Sequence, residues 1–321
     1  MRKQLYRHQG FTLSCNESLD RLTAAPAGAS ADVNVHVLAP GELPSRQLPW
    51  VAVDPPITWR AQTDRGACLR LRYALDSEWA EFFIDERGDS VWVSRADGIA
   101  FEEVAELLLG PVLSCVLAQR GFTCLHAATV KIAGRVVAIV GRSGAGKSTT
   151  ALAVVQRGGA LIADDVAVFD QDPGRPAVRS GAPRLRMCPD SAVSLVGSYA
   201  ALDSMWIHED RRPEKRYVQV DESTAVPGDT TWPLDAVYML VPDAQAAVPV
   251  VSTLSPSQAL GRLMTMRHMA SALDAAAHRR DFQVMAQVAE SLPIRELIRP
   301  QDLVSVPATV ATILADLDAL D

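Results

Sequence analysis

The stretch of residues 136–170 constrains the fold of this chain more than any other part of the sequence. It reads VVAIVGRSGAGKSTTALAVVQRGGALIADDVAVFD. Residues 136–140 are all apolar and predict a buried strand. Residues 141–148 then match the phosphate-loop pattern G-x-x-x-x-G-K-[ST] in full, and residues 148–157 have the composition of a helix. This order predicts that nucleotide phosphates sit at the positive N-terminus of that helix.

Each residue type in the loop suits this chemistry. The glycines let the backbone turn tightly, so that its N–H groups converge on phosphate oxygens. Lys147 supplies a cation for the β- and γ-phosphates, and the Ser148 hydroxyl is suited to ligate Mg²⁺. The predicted nucleotide-binding residues are Gly141, Arg142, Ser143, Gly144, Ala145, Gly146, Lys147, Ser148 and Thr149.

An acidic pair, Asp164-Asp165, ends a second predicted strand at residues 160–163. A carboxylate at such a strand end is typical of a Walker-B-like site, so we expect one carboxylate of the pair to lie near a metal held by Ser148. Because successive side chains of a strand point to opposite sides, the two carboxylates are expected to have different roles.

The composition excludes several classes of protein. The 321 residues include 31 basic and 38 acidic side chains, a net charge of −7, without a long basic stripe, so no nucleic-acid partner is expected. No apolar run reaches the length of about 18 residues that a membrane span needs, and the basic N-terminus lacks the apolar core of a signal peptide. The five cysteines are scattered without a C-x-x-C, which favours a reducing cytoplasm over a disulfide frame or a zinc site.

The chain divides into two regions with different sequence patterns. Residues 1–105 contain the runs LRLRYAL, EFFID and SVWVS, and the turn ERGD between the last two predicts a β-hairpin. We expect a small, mostly β N-terminal domain there, acting as a scaffold or recognising the substrate. In residues 106–321, strands of the buried type alternate with helices from residue 125 onward. This order predicts an α/β domain whose ligand lies at the carboxyl ends of the strands.

Several further elements are predicted from local patterns. The apolar spacing of residues 101–119 predicts a helix that Pro111 kinks or divides. His126 falls in a short predicted strand, and on chemistry alone such a histidine is more often structural than functional. The charged segment 208–216, HEDRRPEKR, is expected to be a solvated loop, or else to close over phosphate. Other helices are predicted after a cap at Asp190 or Ser191 and at 257–269, 270–291 and 306–320. Other strands are predicted at 128–132, 166–169, 236–241 and 294–298.

The run LHAATVK…VVAIVGRSGAGKST…QRGGALIADD resembles HPr serine kinase/phosphorylase and its relatives. The resemblance implies a P-loop kinase domain of the HPr kinase / phosphoenolpyruvate carboxykinase type, preceded by a smaller, mostly β domain. The later pieces APRLRMCPDS, EKRYVQV and IRELIRPQDL look like the small HPr-kinase-like proteins found beside peptide biosynthesis genes. These include kinases that phosphorylate lasso-peptide precursors on serine.

The resemblance also implies roles for individual residues. His126 matches a family histidine that lies on a strand before the loop, and it would orient the Asp pair or the phosphate. Asp165 would take the serine proton and Asp164 would serve the metal, although the two could exchange roles. Lys215 and Arg216 are candidates for the late catalytic arginine of the family. The predicted catalytic residues are therefore His126, Lys147, Asp164, Asp165 and Arg216.

The sequence also departs from the family in places. Arg142 stands where HPr kinases usually have Asp or Glu, and Thr149 stands where they have Glu. Their glycine-rich HPr-docking motif is not found after the acidic pair. These departures argue against HPr as the substrate and against phosphorylase activity.

The sequence thus predicts a kinase that uses ATP and Mg²⁺ to phosphorylate a serine hydroxyl of a peptide or small protein. Two other interpretations stay open: a small-molecule alcohol kinase on the same fold, and a nucleotide-binding regulator that transfers nothing. The intact Asp pair argues against the regulator. Neither nucleic acid nor a membrane is an expected partner, and the oligomeric state, including a homo-oligomer, is left open.

Overall fold

The fold was analysed in a computed structural model of the whole chain. The structure describes residues 3–20, 22–42, 44, 47–54, 58–75, 78–170, 174–204, 215–221 and 230–320. Two compact units are present: residues 1–124 with 268–280, and residues 125–267 with 281–321.

The first unit is built on a nine-stranded sheet. Its strands are β1 (Gln4–His8), β2 (Phe11–Cys15), β3 (Thr23–Ala24), β4 (Val33–Val37), β5 (Val51–Asp54), β6 (Thr58–Thr63), β7 (Gly66–Leu75), β8 (Glu78–Ile84) and β9 (Ser90–Arg95). They lie in the order β3-β1-β2-β4-β9-β8-β7-β6-β5. Strands β8 and β9 pair antiparallel, which confirms the predicted hairpin. Alternate residues of β4 are buried, the period-2 pattern of a sheet with one face in the core.

A helical segment follows the sheet. It consists of α1 (Phe101–Leu107), a π-helical turn (Leu108–Val112) and α2 (Leu113–Gln119). The predicted helix over 101–119 is therefore present, and Pro111 lies inside the wider π turn. A wider turn of this kind accommodates a residue that has no N–H to donate.

The boundary between the units lies further along the chain than the predicted position at residue 105. Helix α2 is tied to the first unit, because Arg120 forms an ion pair of 2.6 Å with Asp89 and donates to the Asp32 carbonyl at 3.1 Å. Gln119 also donates to the Ala67 carbonyl. These contacts keep the helical segment with the nine-stranded sheet, so the division falls between Cys124 and Leu125.

The second unit is a mixed α/β structure. Its elements begin with the last residue of β10 (Thr123–Leu125), followed by β11 (Ala127–Ile132), β12 (Arg135–Val140), α3 (Lys147–Val155), β13 (Ala160–Ala163), β14 (Ala167–Phe169), β15 (Ala177–Arg179), β16 (Arg184–Met187), α4 (Pro189–Val196), β17 (Asp203–Ser204), β18 (Arg216–Gln219) and β19 (Thr231–Pro233). They continue with β20 (Ala236–Asp243), β21 (Val250–Thr253), α5 (Pro256–Thr265), the part of α6 (Ala275–Ser291) from residue 281 onward, β22 (Ile294–Pro300) and α7 (Val306–Asp318). The predicted strands at 136–140 and 160–163 are confirmed as β12 and β13.

A six-stranded sheet with the order β13-β11-β12-β20-β22-β21 forms the centre of this unit. Strands β12, β20 and β22 are parallel neighbours, whereas β11 runs antiparallel to both β12 and β13. Strands β12 and β13 therefore run in the same direction, with β11 between them. Their carboxyl ends consequently lie at the same edge of the sheet.

Apolar side chains cover both faces of this sheet. On one face, Ile139 and Leu240 belong to a buried cluster with α3 and α7, which contribute Leu152 and Ile313. On the other face, Val140 and Met239 belong to a cluster with residues of α5 and α6. Burial on both faces explains why the central strands read as continuous apolar runs.

Some predicted boundaries were wrong. The helix predicted to start at Ala270 starts at Ala275, after a 3₁₀ turn at Ala270–Ala272. Helix α4 starts at Pro189, so its cap is Cys188 and not Asp190 or Ser191 as predicted. Proline suits the first helical position because its φ is preset and its missing N–H would have no partner there.

Residues 208–214 of the charged segment predicted at 208–216 lie outside the described residues. No helix in the described part of the chain is long and apolar enough to cross a membrane.

Candidate active site

The glycine-rich loop joins the carboxyl end of β12 to the first turn of α3. It turns tightly, with the Ala145 N–H donating to the Arg142 carbonyl at 3.0 Å. Gly146 stands at the helix start with a left-handed φ of 95°, and a Cβ there would lie 2.6 Å from Arg299 Nη2. Only glycine meets both conditions. Arg142, Ser143 and Gly144 form the exposed tip of the loop.

The Lys147 ammonium is held at the base of the loop. Its Nζ donates to the Gly141 carbonyl at 2.9 Å and to the Arg142 carbonyl at 3.1 Å, and the residue is only 6% exposed. Burial lowers the pKa of Lys147 below its ordinary value, while the charges of Asp164 and Asp165 act in the opposite direction. A desolvated cation surrounded by loop carbonyls is available to an anion that enters the loop.

The Ser148 hydroxyl contacts the first aspartate of the acidic pair. Ser148 Oγ donates to Asp164 Oδ1 at 2.9 Å, and the Arg186 N–H donates to Asp164 Oδ2 at 2.9 Å. This contact exists because β12 and β13 end at the same edge of the sheet. Burial raises the pKa of the Asp164 carboxyl above its ordinary value. The Arg186 N–H bond opposes this shift, and the charge of Asp165 adds to it.

Asp165 has a different set of partners. Its φ of 71° is left-handed, so the chain leaves the strand geometry immediately after Asp164. One carboxylate oxygen of Asp165 lies 3.5 Å from His126 Nε2, and the other lies 2.9 Å from Arg186 Nη1. The His126 backbone is fixed by its N–H bond of 2.8 Å to the Met266 carbonyl. A non-glycine residue held in this region is strained by about 1–3 kcal/mol, and such strain is frequent at functional sites.

The structure thus brings His126, Lys147, Ser148, Asp164 and Asp165 into one constellation of contacts and charges. Arg186 joins it through both its backbone N–H and its guanidinium, on Asp164 and Asp165 respectively. The sequence did not single out Arg186. The only signal was its position in the short run RLRM, where arginines alternate with apolar residues.

The other predicted site residues have different surroundings. The Arg216 guanidinium stacks on the Tyr199 ring at 4.3 Å and donates to backbone carbonyls of residues 199, 200 and 202. The charge of Lys215 lowers the pKa of Lys147, so its ammonium acts on the site through space. Thr149 Oγ1 donates to Ser191 Oγ at 3.1 Å in a buried contact between α3 and α4.

The oxygens of Ser148 and Asp164 suit a hard divalent cation. Mg²⁺ is usually held by one or two protein oxygens, with water and phosphate oxygens completing its shell. Among the described residues, no cluster of three or more His, Cys, Asp or Glu side chains could hold a metal by itself. The residues present therefore fit a metal that arrives with a phosphate ligand.

We expect Asp164→Asn to raise the melting temperature at neutral pH. The folded state holds the Asp164 proton more tightly than the unfolded chain does. Asp164 loses its proton as the pH rises from about 4, the ordinary pKa of the group, through its raised pKa in the folded protein. The free energy of unfolding therefore falls over this range of pH. Asparagine keeps the shape, can accept from the Arg186 N–H and can donate to Ser148 Oγ. Calorimetric scans from pH 4 to pH 8 measure the difference.

Asp316→Asn is the matched control for this prediction. Asp316 accepts hydrogen bonds from Tyr238 and from Arg295 Nε, at 2.8 and 3.0 Å, so loss of its charge should lower the melting temperature. A lower melting temperature for Asp164→Asn at pH 8, similar to that of the control, would contradict the assignment of Asp164 as a desolvated carboxylate.

Comparison with known proteins connects this site to one family. Residues 117–182 match the family model of the HPr Serine kinase C-terminal domain. The HPr kinase/phosphorylase of Clostridium botulinum (strain Alaska E43 / Type E3) is 34% identical over 107 residues, 33% of this chain and 34% of that protein. The HPr kinase/phosphorylase of Lactobacillus acidophilus is 48% identical over 66 residues, 20% of each chain.

The solved Hpr(Ser) kinase/phosphatase of Coxiella burnetii aligns with 62% of this chain and 99% of its own length, at 14% identity and a TM-score of 0.32. The chain matches about a third of the length of the first Clostridium relative. The matched segment contains the glycine-rich loop and the Asp pair. Over the segment that carries the candidate site, the sequence of this chain is therefore similar to those of HPr kinase/phosphorylases.

Proposed function

We propose that the protein is a kinase that transfers the γ-phosphate of ATP to a serine hydroxyl of a peptide or small protein. The observation that supports this best is the contact between the Ser148 hydroxyl and Asp164, with the Lys147 ammonium at the base of the same loop. Phosphoryl transfer requires positioning and charge neutralisation more than covalent chemistry, and these are the properties of this site.

The loop residues bind and orient the nucleotide. In this proposal, backbone N–H groups of residues 141–149 hold the phosphates, and Lys147 exchanges its carbonyl partners for β- and γ-phosphate oxygens. Mg²⁺ would be held by Ser148 and Asp164, and it would neutralise charge on the phosphates. The hydrogen bond between these two residues supports that assignment, since it places both oxygens in one small volume.

Asp165 is the proposed base for the serine hydroxyl. Its two carboxylate oxygens are each directed by a partner, His126 on one side and Arg186 on the other. The carboxylate would accept the hydroxyl proton late in the transfer, as the bond to the leaving phosphate loosens. His126 and Arg186 would hold the orientation of Asp165, and the Arg186 cation would also attract the transferred phosphoryl group.

The substrate is proposed to be a peptide or protein other than HPr, such as a biosynthetic precursor peptide. The support is the sequence of residues 182–191, 214–220 and 294–303, which resembles that of small kinases from peptide biosynthesis. The first unit is proposed to recognise this substrate, because the residues of the candidate site all belong to the second unit.

The test of the function is phosphate transfer from [γ-³²P]ATP to the products of neighbouring genes, followed by mass spectrometry of the labelled material. We expect a labelled serine in one peptide or protein.

Lys147→Met should reduce the rate by about 10²–10³-fold, the range for the loss of one preorganised transition-state donor. Lys131→Met, which removes an ammonium stacked on Trp232 at 4.9 Å, should retain transfer. Label in a small-molecule alcohol alone would contradict the proposed substrate class.

Asp165→Asn should lower the single-turnover rate by about 10²–10⁴-fold, because the amide cannot accept the proton. Binding of Mg²⁺–ATP should stay near that of the wild type, since Asp165 is not assigned to the metal. Asp170→Asn is the control, because Asp170 pairs with Arg179 and Thr231. A normal transfer rate in Asp165→Asn would remove Asp165 from the role of base.

The role of the first unit can be tested at the β8–β9 turn, where the Arg87 side chain is exposed. Arg87→Glu should change the KM for the peptide substrate and leave ATP affinity unchanged. Equilibrium binding of ATP and steady-state kinetics with the labelled peptide separate the two effects. A change in ATP affinity with an unchanged peptide KM would argue against substrate recognition by this unit.

A further inference from the structure

A buried arginine lies directly behind the glycine-rich loop. Arg299 stands at the carboxyl end of β22, two strands away from β12, and is 4% exposed. Its Nε and Nη2 donate to the Ala145 carbonyl at 3.3 and 3.1 Å. Its Nη1 donates to the Pro300 carbonyl at 2.7 Å and to the Asp302 carbonyl at 3.3 Å. The guanidinium therefore donates two hydrogen bonds to the loop, and its Nη1 group binds carbonyls at the end of its own strand.

The hydrogen bonds from Arg299 to the Ala145 carbonyl determine the direction of the Gly146 N–H. The carbonyl of Ala145 and the N–H of Gly146 belong to one trans peptide, so they point in opposite directions. Because the Arg299 guanidinium holds the Ala145 carbonyl, the Gly146 N–H points away from the guanidinium. Gly146 has no Cβ, and a Cβ there would lie 2.6 Å from Arg299 Nη2. Any larger residue would separate the guanidinium from the peptide that it holds.

We propose that Arg299 is a positioning residue that fixes the peptide between Ala145 and Gly146, so that the Gly146 N–H is directed at a phosphate oxygen of the nucleotide. This inference rests on the proposed function, since it needs a nucleotide in the loop. A glycine-flanked peptide can rotate easily, and the guanidinium prevents that rotation before the ligand arrives. The phosphate then meets a donor that already points toward it, which lowers the entropic cost of binding.

The fork shape of the guanidinium is central to this role. Two adjacent N–H groups on one carbonyl fix its direction, whereas a lysine ammonium is a point charge that fixes only distance. The test therefore compares Arg299→Lys, which keeps the charge, with Arg299→Met, which removes both charge and fork. Arg295→Met is the matched control. Arg295 lies near the amino end of the same strand, where its Nε donates to Asp316 and its Nη1 donates to Thr253.

Titration calorimetry with Mg²⁺–ATP and with adenosine provides the readout on the full chain. Arg299→Met should weaken ATP binding by about 10–100-fold, the range for the loss of a hydrogen bond to a charged group. Arg299→Lys should show a loss between that of Arg299→Met and the wild type. Adenosine, which has no phosphate, should bind all variants within twofold of the wild type. Arg295→Met should lower the melting temperature and leave both affinities unchanged.

The Gly146 amide provides a second measurement that needs no variant. In the wild-type protein, ATP should shift the ¹H resonance of the Gly146 N–H downfield, and adenosine should not. An ATP affinity of Arg299→Met within twofold of wild type, or an unshifted Gly146 resonance at saturating ATP, would overturn the positioning role alone. A wild-type protein that binds no ATP at all would overturn the proposed function, and the positioning role with it.

Discussion

The hydrogen bond between Ser148 and Asp164 depends on the direction of two strands, and the rest of the site depends on that bond. Strands β12 and β13 run the same way on either side of β11, so the residues that follow them meet at one edge of the sheet. If one strand ran in the opposite direction, the Asp pair would lie at the far edge from the loop. The buried apolar side chains on both faces hold this arrangement in place.

The charged side chains of the site lie at that edge of the sheet. Lys147 and Asp164 are both desolvated, with pKa values shifted toward their neutral forms. Burial of these two charged groups carries an electrostatic cost in the folded protein. An anionic phosphate with its metal would relieve part of that cost, because it brings opposite charges to both groups.

The sequence predicted the strands and the loop of the site better than its individual side-chain contacts. Strands β12 and β13 follow from their apolar runs, and the loop follows from its full pattern match, because these signals lie within a few adjacent residues. Arg186 and Arg299 could not be placed, since they reach the site from positions 22 and 154 residues distant from their partners Asp164 and Ala145. Their positions are set by the order of strands in the sheets. The left-handed φ of Asp165 likewise has no local sequence signal.

The proposed nucleotide site is tested most directly by a crystal structure with Mg²⁺ and a non-hydrolysable ATP analogue. We expect the β- and γ-phosphates to lie within the loop of residues 141–148, with the Lys147 ammonium moved from the Gly141 carbonyl to a phosphate oxygen. We also expect the metal at Ser148 and Asp164, with the γ-phosphate facing Asp165. A nucleotide bound elsewhere, with Lys147 still on its loop carbonyls, would contradict the proposed site.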